Sequence, residues 1–99
     1  MSEKEIKNLK REYKFGTKNY WKISLREMIN SVWCYDNYSD INKYLENKYI
    51  LGYQEYGLTL EEIKEITINQ VDYLNKNCKI IKNVYIDSEG LPYNSIVEV

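Results

Sequence analysis

Histidine and alanine are absent from this chain, proline occurs once, cysteine twice and glycine four times. Without histidine no side chain titrates near neutrality at its ordinary pKa, so acid–base catalysis would need a carboxylate, lysine or tyrosine shifted far from its usual value. A Cys/His catalytic pair and a Cys/His zinc site are excluded for the same reason. Cys34 and Cys78 lie 44 positions apart, with no CxxC spacing, so separate reduced thiols are expected. The glycines at 16, 52, 57 and 90 stand isolated from one another, which leaves no phosphate loop, dinucleotide fingerprint or nucleophile elbow. No stretch approaches the roughly 18 apolar residues of a membrane span, and Met1–Lys10 is too charged for a signal peptide. A cytoplasmic protein is expected, without membrane, metal, cofactor or catalytic role.

What the chain does contain is ordinary in quantity and skewed in kind. Of its 99 residues, 43% are apolar and 29% charged, values of a globular domain rather than of a disordered chain. Phe, Tyr, Met, Ile, Asn and Lys together number 49, while Gly, Ala, Arg and Pro together number 7. AT-rich codons produce this bias, which points to a low-GC bacterium or one of its phages.

Start signals and periodicity divide residues 1–99 into about four helices followed by a C-terminal β-hairpin, a single small α+β domain. Ser2 and Glu5 have the spacing of a capping box, and Ile6, Leu9 and Tyr13 recur at helical spacing up to Gly16. Ser24 and Glu27 repeat that signature ahead of Leu25, Met28, Ile29, Val32 and Trp33, a core-facing stripe that puts Cys34 on the opposite side of the wheel. Ser39 is the expected cap of a third helix through Ile41, Tyr44 and Leu45, with Gly52 as its stop, although Lys48–Leu51 also reads as a short strand.

Thr59 and Glu62 form another capping box, with Leu58 and Ile63 in hydrophobic-staple positions and Leu60, Ile63, Thr67, Val71 and Leu74 along one face to about Asn75. Beyond Asn77 the period becomes two: Ile80, Val84 and Ile86 alternate, Asp87–Gly90 supplies a turn, and Leu91–Val99 alternates again, with Pro92 at an edge or strand start. The segment Gln54–Ile66 (QEYGLTLEEIKEI) resembles the segment that follows the wing in MerR-type transcription regulators. Its physical content is the staple and capping box just described, and no functional expectation is drawn from it.

Charge is unevenly spread. Residues 1–22 hold seven basic side chains against three acidic ones, for +4, and the remainder carries −5. On the first helix Lys4, Lys7, Arg11 and Lys14 share one face opposite Ile6, Leu9 and Tyr13, and like charges at i, i+4 repel, so Lys7, Arg11 and Lys14 are candidate contacts for an acidic protein surface or for nucleic acid. Glu61, Glu62 and Glu65 belong to the first turns of the last helix, where they complement its dipole.

Six tyrosines fall between Tyr35 and Tyr56. Tyr49, Tyr53 and Tyr56 lie around a connection and Ile68 projects away from the expected core face of its helix, making these four the candidate aromatic and apolar contacts of an interface. The reading is a non-enzymatic inhibitor or adaptor that binds a larger host protein or protein–nucleic acid complex, in its sharpest form an anti-CRISPR-like, anti-defence protein of a phage or mobile element. The alternative is a small winged-helix regulator, with the third helix as DNA reader, Lys43 and Lys48 as phosphate contacts, and Ser88–Gly90 as wing.

Overall fold

The computed structural model describes residues 1–86 and 92–99 and shows an α+β arrangement: α1 (Glu3–Glu12), α2 (Lys18–Tyr35), α3 (Ile41–Leu45), α4 (Lys48–Leu51), a 3-10 turn (Gly52–Tyr56), α5 (Leu60–Asn77), β1 (Cys78–Ile86) and β2 (Pro92–Glu98). The expected turn at Asp87–Gly90, and with it the suggested wing, lies outside the described residues.

Two helix starts follow from local chemistry. Ser2 and Glu5 form a reciprocal capping box at α1, and Thr59 and Glu62 form another at α5. Leu58 and Ile63 flank the second box as a buried staple, which fixes the angle at which the chain enters α5. The other two starts differ from expectation. Helix α2 begins a turn and a half before Ser24, where the Thr17 side chain accepts from the Tyr20 N–H at 3.3 Å; Ser24 is an interior residue.

Asp40, not Ser39, caps α3. The segment 48–51 is helical rather than extended. Asn47 interrupts the third helix by accepting from the N–H groups of Tyr49 and Ile50 at 2.9 and 3.3 Å, so a new helix begins there. Gly52 does not stop it. The chain tightens into the 3-10 turn and ends at Gly57, whose φ of +91° is a conformation that favours glycine.

Helix α2 is the central element, with α1, α5, α4, the 3-10 turn and β2 all packing on it. Its buried residues, Ile23, Leu25, Ile29, Asn30, Val32, Trp33 and Cys34, therefore spread around the wheel. This corrects the expectation for Cys34: it is buried, because a second layer made by α1 and β2 covers the side of α2 that a one-faced helix would leave in water. Cys34 and Cys78 are both free. The core joins Leu25, Ile29 and Trp33 of α2 to Tyr44, Ile50, Leu58, Ile63, Val71 and Leu74. Leu60 is a further correction, since as the first residue of α5 it points outward and is 55% exposed.

Polar ties fasten this core. Buried Gln70 donates to Asn30 Oδ1 at 2.8 Å and to the Met1 carbonyl at 2.9 Å, and Trp33 Nε1 donates to Asn75 Oδ1 at 2.9 Å. The two strands pair antiparallel from Cys78 opposite Glu98 to Ile81 opposite Ser95, and resume at Tyr85 opposite Tyr93. Between these stretches Lys82–Val84 face the single residue Asn94. At this bulge Asn94 turns to α2, donating its main-chain N–H to the Tyr35 hydroxyl at 3.3 Å and its side-chain amide to the Cys34 carbonyl at 2.9 Å.

Ile63→Ala is expected to lower unfolding free energy by about 2–5 kcal/mol, the usual cost of emptying a buried isoleucine site, while Leu60→Ala changes it by about 0.5 kcal/mol or less. Urea titration of both variants checks the register of α5. Alkylation of the native protein is expected to label Cys78 well before Cys34, since burial excludes reagent and raises both thiol pKa values. Equal rates would contradict the buried position of Cys34.

Candidate functional site

Helix α1 ends at Glu12, and Tyr13 is already extended. The chain reverses within four residues, Lys14-Phe15-Gly16-Thr17. Gly16 adopts φ +86°, and Thr17 donates to the Lys14 carbonyl through its N–H at 3.2 Å and its hydroxyl at 2.7 Å. The same Thr17 hydroxyl oxygen caps α2, so one residue closes the turn and starts the next helix. Phe15 is held at the apex, 72% exposed.

Around it the fold gathers Tyr20 and Trp21 from the first turn of α2 and, behind them, Tyr53 and Tyr56 from the distant 3-10 turn. Phe15 meets Tyr20 and Trp21 edge-on, with centroids 4.9 and 5.6 Å away, and Tyr20 meets Trp21 at 5.2 Å. Trp21 stacks on Tyr56 of the 3-10 turn at 3.9 Å and 9°. Tyr53 lies edge-on to Tyr56 at 5.6 Å. Edge-to-face and offset-stacked arrangements are the geometries aromatic rings prefer, so the rings hold defined mutual orientations although the outer members face water.

Cations border the rings. Lys10 donates to Glu27 and stands 5.7 Å from the Tyr20 centroid. Lys18 and Lys22 hold opposite oxygens of Glu62 at 2.8 and 3.3 Å. Their pull, with the Thr59 N–H, takes the Glu62 carboxyl down to about 2. Lys14 and Arg11 form no ion pair among the described residues.

The candidate residues are thus sorted differently from their sequence grouping. Tyr56 belongs to the cluster and is 49% exposed. Tyr53 is buried beneath it, a correction with a plain cause: its hydroxyl donates to the Ser24 carbonyl at 3.1 Å and pairs with Ser24 Oγ at 2.8 Å. Tyr49 is exposed on α4 beside Lys48, 5.1 Å from its ring, without joining the other rings. Ile68 is exposed on α5 in a shallow depression with Glu61, Lys64 and Glu65.

Lys7 and Arg11 are exposed on α1. Lys14 is off the helix, next to Phe15, so the expected four-residue basic stripe ends at Arg11. Phe15, Tyr20 and Trp21 were missed by sequence reasoning. Their signal was an aromatic beside the Gly16 helix stop, with a Tyr-Trp pair following that glycine after three intervening residues.

A second concavity, a cleft of about 320 Å³, lies between α1, α2 and β2 and is lined in part by Lys7, Glu27, Asn30, Cys34 and Asn94. It holds no paired base for the thiol, whose pKa burial raises. Among the described residues no three potential ligands come together for a metal.

Glu62 is ionised more easily in the folded chain than the usual carboxylate near 4.3. The stability from its ion pairs is therefore fully present above that value and fades as pH falls toward about 2. Glu62→Gln, which retains a capping oxygen, is expected to narrow the gap between melting temperatures measured at about pH 7 and about pH 3. An unchanged gap would mean that the Lys18–Glu62–Lys22 clamp does not operate in solution. Comparison of the chain with protein-family models, with curated proteins and with solved structures returns no match, so the chemistry of the aromatic face carries the functional reading.

Proposed function

We propose that this chain is a protein-binding module, an inhibitor or adaptor that acts by docking on a larger partner, with Phe15, Tyr20, Trp21 and Tyr56 as the centre of contact. The observation that carries this reading is the solvent-facing aromatic cluster topped by Phe15. A phenylalanine left 72% exposed contributes little to folding, whereas aromatic side chains fixed in advance lose little entropy when a partner covers them. Small size and AT-rich residue usage fit an anti-CRISPR-like product of a phage or mobile element that blocks a host protein in the cytoplasm.

One feature counts against a DNA reader. The winged-helix alternative needs a reader in 41–51, and that stretch is a five-residue helix and a four-residue helix broken at Asn47.

The test is a purified complex with a partner identified by crosslinking in the native host. Phe15→Ala is expected to weaken binding by roughly 2 kcal/mol, the scale of an aromatic hot spot, or about thirty-fold in Kd, with the melting temperature within a few degrees of wild type. A Kd unmoved by both Phe15→Ala and Tyr56→Ala would remove the aromatic face from the interface.

A further inference from the structure

We infer that the partner surface fitting this face is acidic: apolar side chains that cover the Phe15 ring, flanked by carboxylates that meet Lys14, Arg11 and the Lys18/Lys22 pair. The inference rests on the docking reading above and adds the chemistry of what is docked.

Three observations support it. First, Phe15 is a knob rather than a patch. The apex of a four-residue turn, fixed by Gly16 and by both Thr17 hydrogen bonds to Lys14, presents one ring ahead of its neighbours, 72% exposed, for apolar side chains of a partner to cover.

Second, the rim has surplus positive charge. Lys10, Arg11, Lys14, Lys18 and Lys22 outnumber Glu12, Glu55 and the counter-ions Glu27 and Glu62 by one. Lys18 and Lys22 share one carboxylate, with Lys22 at the longer distance of 3.3 Å, so a second carboxylate can be taken up without breaking the clamp.

Third, against the rim's +1 the rest of the chain carries −2, so the net attraction for an acidic partner lies at the rim, where it favours one orientation of encounter in a salt-dependent way.

The probe is a phage-displayed library of random dodecapeptides selected on the immobilised full chain at about 50 mM salt, where charge contacts are least screened. Enriched peptides are then measured in solution by fluorescence anisotropy. The expected winners carry a Leu, Ile or Phe flanked by at least two Asp or Glu. Their Kd is expected to rise about tenfold or more with Phe15→Ala, and by a similar factor both with the Arg11→Glu/Lys14→Glu double variant and on raising salt to about 500 mM.

Winners that are neutral or basic yet need Phe15 would overturn the acidic partner and leave the docking reading standing. Winners indifferent to Phe15→Ala, or a library without enrichment, would overturn both. Tighter binding of a twelve-nucleotide oligo-dT than of any peptide would overturn the inference in favour of single-stranded nucleic acid. Phe15-dependent self-association in sedimentation velocity would overturn it in favour of a second copy.

Discussion

Helix α2 buries side chains around most of its circumference, and the remaining elements take their positions from it. Its inner side closes the main core with α4, Leu58 and α5; its other side supports α1 and β2. A helix used in this way cannot be read as amphipathic in one direction, and any shift of α2 along its axis would disturb both layers together. The hydroxyl-to-hydroxyl contact between Ser24 and Tyr53 pins that axial position against the 3-10 turn, and so sets where Trp21 meets Tyr56. The aromatic face is in this sense an outcome of core packing, although its outermost ring belongs to no core.

Much of the fold was legible in the residues because it is local. The two capping boxes at Ser2 and Thr59, the staple of Leu58 and Ile63, and the change to period two after Asn77 all depend on neighbours within a few positions. What was misread depends on distant partners. Ser24 and Glu27 have the spacing of a capping box by coincidence, since Ser24 answers to Tyr53 and Glu27 to Lys10. Asn47 carries no periodicity, so the break it makes in the third helix left no pattern to detect.

The candidate site was less legible than the fold. Density of tyrosine drew attention to 35–56, yet of Tyr49, Tyr53 and Tyr56 only Tyr56 ended in an exposed aromatic cluster. Tyr53 sank inward because α2 offered its hydroxyl two partners. Phe15, the chain's single phenylalanine, was hidden by its rarity. Its importance arises from position, at the apex of a reversal whose geometry becomes apparent only when Thr17 is seen to serve both the turn and the next helix.

The two tryptophans occupy contrasting surroundings. Trp33 is sealed in the core with its indole nitrogen bonded to Asn75, whereas Trp21 lies partly open against Tyr56. Indole emission is sensitive to local polarity, and a tyrosine in van der Waals contact can pass its excitation to the indole. The molecule thus contains two built-in fluorophores with separate duties: Trp33 reports whether the interior is intact, and Trp21 reports what is happening at the aromatic face.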